Sequence, residues 1–120
     1  MPHFRGNIEN MSLNNNYYRR VIYTTKTMQL VLMSLHPKEE IGMEVHRHTS
    51  QFIRVESGHA LAYIGSKRYN LKDGDAILVP ANRKHNIINI GKDCLKLYTI
   101  YSPPEHPKDK KEKRKNSLNK

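Results

Sequence analysis

Apolar residues between about Tyr17 and Pro104 fall in short runs, and turn-forming residues such as Gly, Pro, Asp and Asn lie between them. Runs of this length that are rich in β-branched and aromatic residues predict strands when turn formers bound them. The predicted strands cover 28–35, 51–56, 60–64, 67–71, 76–79, 85–90 and 95–101. No part of this region keeps a helical period. Turn signals at intervals of about eight to twelve residues predict an all-β sandwich or barrel.

The two ends of the chain lack this pattern. Residues 1–16 are rich in Asn and poor in large apolar side chains, which predicts a disordered or extended arm. Residues 106–120 hold seven Lys and Arg against two Asp and Glu, which predicts a basic disordered tail. The folded domain is therefore expected over 17–105. No aromatic residue interleaves with the lysines of the tail, so a nucleic-acid partner is not expected despite the net charge of +10.

Cysteine content and hydropathy limit the function classes further. Cys94 is the single cysteine, which excludes an intramolecular disulfide and a cysteine-based zinc cluster. A chain without disulfides suits a reducing compartment. No apolar run approaches the roughly 20 residues of a membrane span, and the first residues contain no secretory apolar core. We therefore expect a cytoplasmic protein with no membrane partner.

Two segments about forty residues apart carry the candidate chemistry. In the first, His46 and His48 are two positions apart, so an extended strand would turn both imidazoles to one side. Gln51 follows three residues later and offers an amide oxygen, and His85 begins a later predicted strand. Imidazole nitrogen suits first-row divalent metals, and an amide oxygen is a weaker ligand. A lone histidine is more often a surface or hydrogen-bonded residue, so the case depends on all four residues meeting.

The spacing of these residues resembles the two motifs of the cupin superfamily. In the first motif, His46-x-His48 is followed by Gln51 and, after six further residues, by Gly58. The second motif is matched in spacing throughout by Gly74, Pro80, Asn82, His85 and Asn89. The resemblance extends over about 17–107 and is closest to small single-domain cupins of the mannose-6-phosphate isomerase-like group.

The resemblance implies a fold and a metal site. The fold would be a double-stranded β-helix, or jelly-roll barrel. One divalent ion, Zn, Fe, Mn or Ni, would bind inside it to His46, His48, Gln51 and His85.

Three features depart from the family pattern. Gly42 lies three residues before His46 where the motif has five, which affects a loop and not the ligands. Gln51 stands where the first motif has Glu, which removes a negative charge and should weaken the hold on a divalent ion. Asn82 stands where the second motif has Gly. Asparagine tolerates a positive φ better than most residues, so the turn there is expected to survive.

Two functions of different class remain open at this stage. The protein is either a metal-dependent enzyme acting on a small molecule such as a sugar or organic acid, or a module that binds such a molecule without turnover. Isomerase, dioxygenase and lyase chemistry are all compatible with the ligand set.

A homodimer is also expected. The run 28–35 is apolar on both alternating faces, so its second face needs a cover, and residues 1–16 offer few apolar side chains for that role.

Overall fold

A computed structural model describes residues 2–115 of the chain. Within this range one helix is followed by nine strands. The helix is α1 (Ile8–Asn14), and the strands are β1 (Arg19–Thr24), β2 (Gln29–Leu35), β3 (Ser50–Ser57), β4 (His59–Ile64), β5 (Lys67–Lys72), β6 (Ala76–Val79), β7 (His85–Asn89), β8 (Leu95–Ser102) and β9 (Lys111–Glu112). All seven predicted strands are confirmed, each to within a single residue at either end.

The strands form two antiparallel sheets. One sheet has the order β6-β3-β8-β2-β1-β9 and the other has the order β5-β4-β7. The all-β jelly roll is thus confirmed, but the expectation of a closed barrel is corrected. Strand pairing ends at β6 and β9 in one sheet and at β5 and β7 in the other, so it does not run round a closed cylinder.

Inward side chains of the larger sheet lie in rows that cross β2, β8 and β3. One row is polar (Gln29, Tyr101 and Gln51) and another is apolar (Met33, Leu97 and Val55). Every member of both rows is at most 1% exposed. The apolar row belongs to the core that fills the space between the sheets. Tyr101 of the polar row also belongs to that core, but the two buried amides beside it, Gln29 and Gln51, need hydrogen-bond partners there.

The N-terminal segment differs from the expected disordered or extended arm. Asn7 caps α1, because its side-chain oxygen accepts a hydrogen bond from the backbone N–H of Asn10 at 2.9 Å. The helix packs against β2, β3 and β8. Leu32, on the outer face of β2, is 1% exposed. Because this chain itself covers part of that face, the strand pattern does not by itself require a second subunit, and the homodimer stays a prediction.

Part of the basic tail also differs from the expectation of disorder. β9 pairs with β1, placing Glu112 opposite Arg19. Arg19 Nη1 and Glu112 Oε1 form an ion pair of 2.9 Å, with side chains only 9% and 7% exposed. A buried ion pair is costly to break from one side, so this part of the tail belongs to the folded unit. Residues 116–120 lie outside the described residues.

Hydropathy adds one observation about the described range. No helix among residues 2–115 is long and apolar enough to cross a membrane.

Candidate metal centre

Backbone pairing brings the two histidine segments together. Glu44 and His85 form an antiparallel bridge, in which each backbone N–H donates to the other residue's carbonyl at 2.9 and 3.0 Å. Gln51 lies near the start of β3 with its side chain buried. The segment before β3 therefore runs beside the start of β7, and side chains from both can meet in the interior.

Three side chains converge there. One oxygen of Glu44 and one nitrogen each of His46 and His85 all lie within 4.8 Å of one another. Gln51 joins them, because its Oε1 is 2.9 Å from His85 Nε2. Two imidazoles, a carboxylate and an amide oxygen make a donor set suited to a first-row divalent cation.

His48 lies outside this cluster, contrary to the expectation from the sequence. Its side chain is exposed, and the chain bends at residues 47 and 48 instead of continuing as an extended strand. The alternation that was expected to align His46 with His48 instead aligns Glu44 with His46. Glu44, two positions before His46, brings a carboxylate into the cluster, a residue that the motif spacing did not indicate.

Hydrogen bonding favours one tautomer of His85 and supports a cation beside it. His85 Nδ1 lies 3.0 Å from the carbonyl of Arg83, which can only accept, so Nδ1 carries the proton. Gln51 donates its Nε2 to Thr99 Oγ1 at 3.0 Å, which leaves its oxygen facing His85 Nε2. In neutral imidazole, two lone pairs would then face each other at 2.9 Å. A cation bound to both atoms removes that conflict.

His46 also has an oxygen near each ring nitrogen, and here both oxygens belong to carboxylates. Its Nδ1 is 3.3 Å from Glu105 Oε2, and its Nε2 is 3.3 Å from Glu44 Oε1. Despite that proximity, Glu44 Oε1 and His46 Nε2 are buried atoms that make no hydrogen bond within residues 2–115. Metal-bound histidines commonly direct the second nitrogen at a carboxylate or carbonyl, as Glu105 and Arg83 allow here. The residues therefore fit a metal ion held by both Nε2 atoms.

Neighbouring charges favour the ionised form of Glu44, which can bind a metal ion, but they also favour the protonated form of His46, which cannot. Burial acts to raise the pKa of Glu44, but the contact with His46 and the charge of Arg19 outweigh it, so the pKa is lowered. The Glu44 carboxylate raises the pKa of His46, against the effect of burial, and Glu105 adds to the rise. A metal ion must therefore displace a proton from His46 to bind, since only the deprotonated nitrogen is a ligand.

The loop before β7 supports the site from the backbone. Asn82 has a φ of 65°, which confirms that this position needs a left-handed conformation and that asparagine supplies it. Its backbone N–H donates to the carbonyl of His46 at 2.6 Å. The loop that leads to His85 is therefore tied directly to the segment that carries His46.

The chain belongs to the cupin family. The sequence model of the family, described as a cupin domain, matches residues 31–101. This range includes Glu44, His46, Gln51 and His85. Two antiparallel sheets with a His/Glu cluster between them agree with that assignment.

Similar proteins come from several sources. BH2720 of Bacillus halodurans, known from a crystal structure, is 38% identical with a TM-score of 0.94, over 97% of this chain and 92% of that one. An uncharacterized protein of Acanthamoeba polyphaga mimivirus is 50% identical over 84% of this chain. The uncharacterized protein YrkC of Bacillus subtilis is 42% identical over 87% of it. The chain spans only 66% and 59% of the lengths of these last two relatives.

Proposed function

We propose that the protein binds one divalent metal ion, Zn, Fe, Mn or Ni, through Glu44, His46, Gln51 and His85. The convergence of three potential ligand atoms within 4.8 Å carries this proposal. Glu44 Oε1 and His46 Nε2 support it, because these buried atoms face each other at 3.3 Å without forming a hydrogen bond, and an ion could bind both. His48 is not included, since it is exposed.

The ion would serve to bind and activate a small molecule such as a sugar or organic acid. When bound, such an ion supplies Lewis-acid polarisation of a ligand oxygen, or an oxygen-binding centre if it is iron. The chain's own part is to hold the ion with four side chains and to fix the orientation of His46 through Glu105. Isomerase, dioxygenase and lyase chemistry all fit this arrangement.

The alternative is a module that binds the small molecule without turnover. The two sequence motifs contain no obvious general base, which favours it. The identity of the bound metal helps to distinguish a metal-dependent enzyme from a binding module. Iron in protein purified anaerobically without a histidine tag would favour oxygen chemistry, whereas zinc, nickel or manganese would favour the other roles.

Metal content tests the proposal. The double variant His46→Ala/His85→Ala removes both imidazole ligands and should bring metal content from one ion per chain to none. His59→Ala, which removes an exposed histidine at the start of β4, is the matched control and should keep the ion. Elemental analysis gives the ratio, and circular dichroism confirms that each variant is folded. Full metal occupancy in the folded double variant would contradict the proposal.

A further inference from the structure

The outer face of the β1–β9 ladder brings two basic side chains together. Arg20 and Lys111 are directly opposite each other in this antiparallel pairing, and both residues are exposed. Arg19 and Glu112, the other pair of the ladder, turn inward and form the buried ion pair. Like charges directly opposite each other destabilise a sheet, so strand pairing alone does not account for this arrangement.

No carboxylate neutralises these two cations. Within residues 2–115, Arg20 and Lys111 form no ion pair, and the exposed Lys113 that follows β9 forms none either. The carboxylate of Glu112 is already bound by Arg19 on the inner side of the ladder. The outer side therefore presents uncompensated positive charge to solvent.

The charge of this end of the sheet stays positive when the neighbouring carboxylates are counted. Residues 17–20 and 107–115 hold eight Lys and Arg against two Asp and Glu. Three further carboxylates come from adjacent segments, namely Glu9 of α1 and Glu39 and Glu40 beside the tail. Basic groups then still outnumber acidic groups by eight to five. A surface with such an excess attracts a polyanion.

An aromatic ring contacts both cations. Lys111 Nζ lies 4.6 Å from the centre of the Tyr17 ring, and the guanidinium carbon of Arg20 lies 5.7 Å from it, as in cation–π contacts. A nucleic-acid partner was not expected from the sequence, because no aromatic residue interleaves with the lysines of the tail. The fold supplies that ring, because β9 brings the tail back beside the start of β1.

The backbone of Tyr17 is fixed by hydrogen bonds. The buried side chain of Asn15 accepts from the N–H of Tyr17 at 3.2 Å and donates to its carbonyl at 2.9 Å. The same carbonyl accepts from the backbone N–H of Ser34 at 3.1 Å. The ring therefore projects from an ordered support, and the half-buried residue leaves part of its surface accessible.

A groove beside Arg20 adds hydrogen-bonding groups. A cavity of about 270 Å³ lies between α1 and β1, lined by Asn10, Asn14 and Arg20 together with the apolar side chains of Ile22 and Leu32. Amide side chains both donate and accept, as contacts with phosphates, sugars and base edges require. A membrane surface would call for a large apolar face that inserts among lipids, so the amides favour a nucleic acid.

We propose that the outer face of the β1–β9 ladder binds single-stranded nucleic acid, with Arg20 and Lys111 contacting its phosphates and Tyr17 offering a ring for base stacking. Contacts with phosphates supply sequence-independent affinity, and stacking on an aromatic ring or a guanidinium plane needs bases that are not paired in a duplex. This surface lies outside the metal cluster, so the inference does not depend on the proposed function.

Binding of a fluorescently labelled oligothymidylate of about 12 nucleotides tests the proposal. Fluorescence anisotropy measures its affinity for the full-length protein between about 50 and 200 mM salt. For single strands, a plot of log binding constant against log salt concentration has a slope of about −0.7 per phosphate contact. Arg20→Ala/Lys111→Ala should therefore weaken binding at least tenfold at low salt and make the slope shallower by about 1.4.

The matched control is Arg68→Ala/Lys72→Ala, which removes two exposed basic side chains from β5 in the other sheet. It should leave both the affinity and the slope close to the wild-type values. Tyr17→Leu should weaken binding about tenfold without changing the slope, because stacking on a ring releases no counterions. Circular dichroism confirms that each variant is folded.

Several results would overturn the proposal. One is the absence of oligothymidylate binding at the lowest salt concentration. Another is an equal loss of affinity in the β5 control, which would show only a general attraction to positive charge. A third is equally tight binding of the duplex formed with oligoadenylate. The last is retention on vesicles of phosphatidylcholine and phosphatidylserine in the presence of saturating oligothymidylate, which would assign the surface to a membrane.

Discussion

The two ends of one sheet face differ in what they bury. At one end of the inner face, the row of Met33, Leu97 and Val55 is apolar, and at the other the row of Gln29, Tyr101 and Gln51 is polar. Both rows are equally buried and lie on the same three strands. The apolar end contributes hydrophobic burial, whereas the polar end buries two amides, of which Gln29 secures the segment after β8 and Gln51 faces His85.

The difference between the ends shows where stability and chemistry reside. Substitutions at the apolar end should change the free energy of unfolding and spare metal binding in the protein that remains folded. Substitutions at the polar end should change metal and ligand affinity more than stability. The row between them contains Thr99, whose hydroxyl holds the Gln51 amide in orientation, so the transition between the two ends is gradual.

The largest effect on stability is expected at the apolar end. Leu97→Ala removes a side chain that is fully buried and should lower the free energy of unfolding by about 2–5 kcal/mol, because the cavity adds to the lost burial. Leu78→Ala, at a site 62% exposed, is the control and should change it by less than about 0.5 kcal/mol. Denaturant titration measures both. Loss of metal binding in folded Leu97→Ala would contradict the claim that the apolar end affects stability and not metal binding.

At Gln51 we expect a smaller effect on stability, together with a gain in metal affinity. Gln51→Glu should tighten metal binding about tenfold, or about 1.4 kcal/mol, because a carboxylate holds a divalent ion better than an amide. The metal-free variant should be less stable than wild type, since a second buried carboxylate lies near Glu44. Asn70→Asp adds the same charge at an exposed position of β5 and should do neither. Unchanged metal affinity in folded Gln51→Glu would place that side chain outside the ligand set.

Most of the fold follows from the apolar pattern, because short runs and turn formers record local preferences. The remaining elements depend on tertiary contacts. α1 and β9 carry little apolar surface of their own, and they are ordered by packing on β2 and by the buried pair of Arg19 with Glu112. β1 was missed because its polar residues Arg19, Arg20 and Thr24 obscure the strand pattern.

The candidate site was predicted in part. The spacing around His46, Gln51 and His85 located the cluster, and the pairing of Glu44 with His85 brings these residues together. The fate of His48 depends on a bend at residues 47 and 48 that a motif does not reveal. Glu44 could have been found from the sequence, because it lies two positions before His46 and an extended segment places both side chains on the same side.

The most direct test compares Glu44 with His48, since the structure places the first in the cluster and leaves the second exposed outside it. Protein stripped of metal is titrated with Mn²⁺ or Zn²⁺ by calorimetry in wild type, Glu44→Gln and His48→Ala. Glu44→Gln should lose at least tenfold in affinity, because a neutral amide replaces a buried carboxylate at the ligand cluster. His48→Ala should bind like wild type. Loss of binding in His48→Ala with full binding in Glu44→Gln would contradict the account.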